Sequence, residues 1–325
     1  MTDSRIARAV AGLVLACAAL TAPDRAWSQT KSVAVTAIVD HPALNAVRDG
    51  VRDELKARGF EEGRNLRFEY ESAQGNTGTA AQIARKFVGD RPDVIVPIST
   101  PSAQAVAAAT KDIPIVFSAV TDPVAAKLVT SLERPGGNVT GVSDLSPIRK
   151  HLELVARVVP TAKRLGVVFN PGETNAVVLV ELVRKHAPEF GMTVVEASAP
   201  RSSDVLAAAR SLVGKVDAIY VPTDNTVVSA VEAVVKVGID SKIPVFAGDT
   251  DTVKRGAIAA VGFNYYDVGR QTGQLVLRIL EGAKPGDLPV QGVEITELHV
   301  NPEAAKRMGV TLPQAVLSEA KVVVQ

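Results

Sequence analysis

From Ser32 to Phe263 the chain alternates short runs of Val, Ile, Ala and Leu with longer stretches whose apolar residues recur at helical spacing. Continuous apolar runs bounded by turn residues read as buried strands, and apolar residues three to four apart read as a helix with one face inward. On this pattern Ser32–Val39, Leu66–Tyr70, Asp93–Ile98, Ile113–Phe117 and Val139–Val142 are strands. Between them lie four predicted helices. One carries Leu44, Val47, Val51 and Leu55 on a single stripe and stops at Gly59; the others cover Thr79–Val88, Pro101–Thr110 and Pro123–Leu132. A second series follows Gly141–Pro147 (GVSDLSP): helix Ile148–Val159, strand Leu165–Phe169, a helix to Glu189, strand Thr193–Glu196, helix Ser203–Val213 and strand Ala218–Val221. Helix Val227–Val237 and strands Val245–Ala247 and Ala257–Phe263 complete it. Val268–Leu280 is then a helix, Val290–Val300 is extended, and from Pro302 a short helix leads into irregular chain. Short connections between alternating strands and helices imply an α/β fold with doubly wound parallel sheets and right-handed crossovers.

The two series repeat each other. Asp93–Ser102 (DVIVPISTPS) aligns with Asp217–Thr226 (DAIYVPTDNT), and Ile113–Thr121 aligns with Ile243–Asp251. This implies two similar lobes with a cleft between them. In a parallel sheet, ligands bind outside the carboxyl ends of the strands, so the turns there carry the candidate chemistry. In the first lobe these turns hold Ser99, Thr100, Ser102, Ser118, Thr121 and Asp122, with His41 after the first strand. Hydroxyls at a helix opening, with its free N–H groups, suit a carboxylate. In the second lobe the corresponding turns carry Asp224, Asn225 and Asp249, with Glu173 and Asn175 after another strand. Each of these residues has a bland reading beside the functional one, because Ser, Thr and Asp are also ordinary helix caps. A buried carboxylate needs a cationic partner, so Asp224 and Asp249 would meet an ammonium group. The expected ligand is therefore a small molecule bearing both charges.

Composition narrows the field. The first residues read as an export signal: Arg5 and Arg8, an apolar run Ala9–Leu20 too short to span a bilayer, Pro23, and the small-residue end Ala26-Trp27-Ser28. An alternative places lipid attachment at Cys17, within Val14-Leu15-Ala16-Cys17. Cleavage after Ser28 removes Arg5, Arg8, Arg25, Asp3 and Asp24, which leaves equal numbers of acidic and basic residues. A neutral chain without a basic run argues against a nucleic-acid partner. The single cysteine leaves with the signal, which excludes thiol catalysis and thiolate metal sites. The histidines are scattered, without metal-ligand spacing. There is no G-x-S-x-G elbow, P-loop or H-E-x-x-H, and no nucleophile–base pair, so an enzyme is not expected. Racemases with two α/β lobes use a cysteine pair that this chain lacks.

A family resemblance covers nearly the whole mature chain. It is carried by Ala43-Leu44 with Gly50, Gly59-Phe60 with Gly63 and Asn65, and Ser72-Ala73-Gln74-Gly75. It continues through Thr121-Asp122-Pro123, Pro135–Val142, Asn170–Glu173 with Asn175, Pro222–Thr226, and Tyr266 with Gly269 and Thr272-Gly273. In these motifs the chain resembles the tryptophan/aromatic-amino-acid-type ABC-transporter substrate-binding proteins. The resemblance implies a type I periplasmic-binding-protein fold, with two lobes joined by hinge crossovers. The expected division is a signal at 1–28, lobe one at 29–143 plus 264–285, and lobe two at 144–263 plus 286–325. It also implies a periplasmic, monomeric receptor that closes on an amino acid or related zwitterion and delivers it to a membrane ABC permease, without cofactor or metal. The alternative is a periplasmic sensor that docks on a signalling partner, and the cleft would be the same for both.

Overall fold

The structure, a computed structural model, describes residues 30–324. The signal read over 1–28, with Cys17 inside it, lies outside the described residues. Lobe one is built in order from β1 (Lys31–Ala37), α1 (Pro42–Ala57), β2 (Leu66–Ser72), α2 (Thr77–Asp90), β3 (Val94–Ile98), α3 (Thr100–Ala109), β4 (Ile115–Val120) and β5 (Val139–Ser143). Lobe two follows with α4 (Ile148–Val158), β6 (Arg164–Phe169), α5 (Thr174–His186), β7 (Thr193–Ser198), α6 (Val205–Ser211), β8 (Ala218–Val221), α7 (Asn225–Ser229), α8 (Val231–Ser241), β9 (Val245–Ala247), α9 (Asp251–Lys254) and β10 (Ala259–Gly262). The chain then returns to lobe one as α10 (Tyr265–Leu280) and β11 (Gln291–Gly292). It ends on lobe two with β12 (Glu297–Val300), α11 (Pro302–Arg307), α12 (Gln314–Glu319) and β13 (Val322–Val323).

The sheet orders are β11-β5-β4-β3-β1-β2 and β13-β12-β10-β9-β8-β6-β7. Without the late strands each lobe has the same order, fifth-fourth-third-first-second, so β3 and β8 are equivalent, as are β4 and β9. The internal repeat in the sequence is thus a repeat of topology. All pairings are parallel except β10 with β12, which is antiparallel. Helices cover both faces of the sheets, which is why β3, β4 and β8 are fully buried and, but for Ser118 of β4 and the Tyr220 hydroxyl of β8, apolar. Each lobe has its own core, and α10 belongs to that of lobe one through Val268, Leu275, Val276 and Ile279. Its seat against α1 is backbone on backbone. A Cβ on Gly269 would stand 2.1 Å from the Val47 carbonyl oxygen, and one on Gly50 would stand 2.2 Å from that of Tyr266.

Three expectations are corrected. Residues Pro123–Leu132 form turns, because Asp122 caps Val124 and Ala125 while Lys127, at φ +58°, takes the chain out of helical geometry after one turn. The helix expected over Val227–Val237 is broken at Ala230 (φ −125°, ψ 27°), giving α7 and α8. Residues 286–292 stay with lobe one: Gln291 and Gly292 pair with Val142 and Ser143 of β5, and Thr140 Oγ1 donates to the Leu288 carbonyl at 2.8 Å. The third crossing is therefore at 293–296. The tail packs on lobe two, burying Ala305, Met308 and Val316 and adding β13 beside β12.

Candidate functional site

Each sheet has its topological switch between the first and third strands of its lobe, β1/β3 and β6/β8, and the carboxyl ends at those switches open on one cavity. Lobe one lines it with His41, Ala43, Leu44, Ser99, Thr100, Ala119 and Thr121, and lobe two with Asn175, Thr223, Asp224, Asn225, Val228 and Asp249. Asp144 and Tyr265, where the chain passes between lobes, complete the lining.

The two walls differ in how their helix ends are treated. In lobe one, α1 and α3 start without a side-chain cap and without an acidic residue in the first turn. Their first backbone bonds are Asn45 N to His41 O and Ala103 N to Ser99 O, both 3.0 Å, so the N–H groups before these have no helical acceptor. Such ends carry partial positive charge. In lobe two, carboxylates stand at the starts of α7 and α9, while α5, the counterpart of α1, has no side-chain cap. Asp224 accepts from Val227 N at 2.9 Å and from Asn170 N at 2.5 Å. Asp249 accepts from Thr252 N at 2.8 Å and Thr252 Oγ1 at 2.7 Å. Glu173 accepts from Asn225 N, Asn225 Nδ2, Thr226 N and Thr226 Oγ1.

Buried polar atoms normally have partners. Here Ser99 Oγ, Thr100 Oγ1, His41 Nδ1, Asn175 Oδ1 and Thr223 Oγ1 have none within the protein, and all five residues line the cavity. Backbone strain gathers at the same place. Ser99 holds φ +75° and ψ 160°, a region that belongs to glycine, and Ala119 sits at φ +52° inside a bulge where the β4–β5 register shifts. The bulge turns Ala119 and Thr121 towards the cavity.

No lysine or arginine lines the cavity, yet Asp144, Asp224 and Asp249 are all buried there. Burial pushes the Asp144 carboxyl up to about 6. Burial, and then the neighbouring Glu173 charge, pushes Asp224 well above the carboxylate range. Asp249 is raised by burial too. His41 moves the other way, to about 4, chiefly through burial and then through the Arg255 charge. Arg255 itself is held by Glu232 and the Val228 carbonyl.

The structure brings together His41, Ser99, Thr100, Thr121, Asn175, Asp224, Asn225 and Asp249 from the two halves of the sequence. Four candidates fall elsewhere. Ser118 points away on its strand and shares a 2.6 Å hydrogen bond with Thr272 of α10. Ser102 is buried in lobe one and does not line the cavity, and Asp122 caps the turn after β4. Glu173 braces α7 from the groove outside the cavity. Residues not foreseen as candidates are Ala43, Leu44, Ala119, Thr223, Val228, Asp144 and Tyr265. The one charged residue in the crossover GVSDLSP was the available signal for Asp144.

Two doubly wound lobes joined by three crossings around an inter-lobe cavity define a solute-binding protein with the type I periplasmic-binding-protein arrangement. Residues 32–324 match the model of the family described as ABC transporter substrate binding protein, and the chain belongs to that family. It is 43% identical over 278 residues to a tyrosine-binding protein of Clostridioides difficile (strain R20291), covering 86% of this chain and 81% of the relative. Among solved structures, the ABC domain in complex with L-Trp from Streptococcus pneumonia is similar at TM-score 0.88 with 34% identity, over 91% of this chain and 100% of that one. The ligand-free, open structure of a substrate binding protein with adhesive properties from Clostridium difficile is similar at TM-score 0.69 with 42% identity, over 91% and 99%. The more identical chain, ligand-free and open, is the less similar in shape, and the complex with L-Trp is the more similar.

Proposed function

We propose that the protein is a periplasmic, monomeric receptor that closes on an amino acid, or a closely related zwitterion, and delivers it to an ABC permease. The observation that carries this reading is the asymmetry of the cavity. One wall offers uncapped helix ends and unpartnered hydroxyls at Ser99 and Thr100; the other, together with Asp144 in the crossing, offers buried carboxylates without a cationic partner. The first wall suits a carboxylate and the second an ammonium group. A molecule with both groups bridges the lobes and favours closure. Ala43, Leu44, Ala119 and Val228 give the remainder of the lining an apolar character that fits an apolar or aromatic side chain. The relatives named for tyrosine and for bound L-Trp support the same ligand class.

The test is calorimetry of the mature protein with L-tyrosine and L-tryptophan, their amides and their desamino acids. The amino acids should bind far more tightly than either analogue. Equal affinities for all three forms, or a preference for a sugar, would overturn the reading and leave the fold untouched.

A further inference from the structure

Three buried carboxylates line the cavity, and they are not equally free to receive a ligand. Both oxygens of Asp224 are engaged, one by Val227 N at 2.9 Å and one by Asn170 N at 2.5 Å. Both oxygens of Asp249 are engaged by Thr252, through its N–H at 2.8 Å and its hydroxyl at 2.7 Å. These contacts hold the starts of α7 and α9 and the adjoining turn. Asp144 differs. Its Oδ2 accepts from Tyr265 OH at 2.9 Å, while Oδ1 has only Thr121 Oγ1 at 3.5 Å. That is beyond the roughly 3.0 Å limit of a good hydroxyl hydrogen bond. Asp144 is 3% exposed and lies on the cavity wall.

We propose that Asp144, rather than Asp224 or Asp249, receives the cationic group of the ligand and so sets the preference for an amine. The proposal rests on the zwitterion reading above and assigns its positive end to one residue. Asp144 directly follows β5, in the first crossing between lobes, and Tyr265 opens α10 just after the second. Their hydrogen bond ties the two crossings together, so a cation on Oδ1 sits where the lobes pivot. The carboxylate end then reaches the Ser99 and Thr100 hydroxyls on the wall of lobe one. A ligand without an amine leaves Asp144 buried and unpaired, which is the costly state of such a group. The upward push that burial gives its carboxyl is what a bound ammonium would reverse. Tyr265 acts as a positioning residue, because it holds the carboxylate without itself carrying charge.

The experiment compares amine preference across variants, with L-tryptophan and L-tyrosine against indolepropionate and hydroxyphenylpropionate, by calorimetry at neutral pH. Wild type should prefer the amino acids by about 100-fold or more. In Asp144→Asn the amino-acid affinity should fall by about that factor while the desamino acids bind as before or better, so the preference collapses. In Asp224→Asn and Asp249→Asn the preference should survive even where overall affinity falls. In Tyr265→Phe, which releases the Asp144 carboxylate, the preference should shrink by about 2- to 12-fold without collapsing. Circular dichroism and melting establish folding, and Asp144→Ser, which keeps a hydroxyl beside Tyr265, is the second variant if the amide does not fold. An amine preference that persists in the Asp144 variants and collapses in Asp224→Asn or Asp249→Asn overturns the proposal and leaves the zwitterion reading standing. A wild type indifferent to the amine overturns both.

Discussion

Gln104 in α3 of lobe one donates from Nε2 to Thr174 Oγ1 at the start of α5 in lobe two, at 3.3 Å. The same amide donates to the Ala126 carbonyl within its own lobe, also at 3.3 Å, so the side chain is held ready and reaches across. This bridge exists only while the lobes are together. Gln104 does not line the cavity.

Gln104→Ala should therefore weaken ligand binding without changing which ligand is preferred. A hydrogen bond of this kind contributes about 0.5–1.5 kcal/mol, or roughly 2- to 12-fold in affinity. Calorimetry across several amino acids checks it. A loss of hundreds-fold, or an altered order of preference, would mean that Gln104 acts on the ligand and not on closure.

The contact of α1 with α10 yields a prediction about stability. The Cβ of Gly269→Ala would enter the Val47 carbonyl, and backbone on both sides cannot yield. We expect a loss of about 1–3 kcal/mol or more in urea denaturation. Gly89, in α2, has no atom within 4 Å of an added Cβ. Gly89→Ala should stabilise by about 0.4–1 kcal/mol. If the two substitutions behaved alike, close backbone approach would not be what fixes α10 to lobe one.

The lobes, their order and most of the cavity wall were legible because strands and helices announce themselves by period, and because DVIVPISTPS and DAIYVPTDNT mark equivalent places. Direction was harder to read. Ser99 and Thr100 face the cavity while Ser102 and Ser118 turn inward, a difference set by the bulge after Phe117 and by the positive φ of Ser99. Neither has a glycine to reveal it. Asp144 and Tyr265 fall in the linking stretches before helix Ile148–Val159 and helix Val268–Leu280, and a linker has no hydrophobic period to orient its side chains. The capping reading of Asp224 and Asp249 proved to be an accurate account of their hydrogen bonds, and only the third dimension showed that they also face the cavity.

Asp224 accordingly has a structural prediction of its own. Asp224→Ala removes the cap of α7 and the partner of Asn170 N. A lost cap costs about 0.5–2 kcal/mol, and the unpaired Asn170 N–H adds to that. Because burial and Glu173 disfavour its charge, the neutral Asp224→Asn should be tolerated better than alanine. Thermal melts of the ligand-free protein test this ranking; equal losses for Asn and Ala would show that capping contributes nothing at this position.

His41 makes closure sensitive to acid. It stands before α1 in lobe one and is buried on the cavity wall, which it shares with Asn225 of lobe two. The charged groups acting on it are Asp40 in its own turn, which favours the protonated ring, and Arg255 at the end of α9, which opposes it. Asp144, Asp224 and Asp249 share the cavity. In this arrangement burial holds the His41 pKa down at about 4. A depressed histidine pKa means that the closed state is favoured in full above the open-state value and loses ground as pH falls through that window. From pH 7 to pH 5 the His41 contribution should cut ligand affinity by about 20-fold, if the open cleft leaves the ring near pKa ~6.5. Asp144 titrates over the same range, so wild type is compared with His41→Gln and the difference between the two pH profiles isolates the imidazole. The variant should bind with a flatter profile. Parallel profiles for the two proteins would place His41 in an equally wet setting in both states, and the acid sensitivity would then belong to the carboxylates.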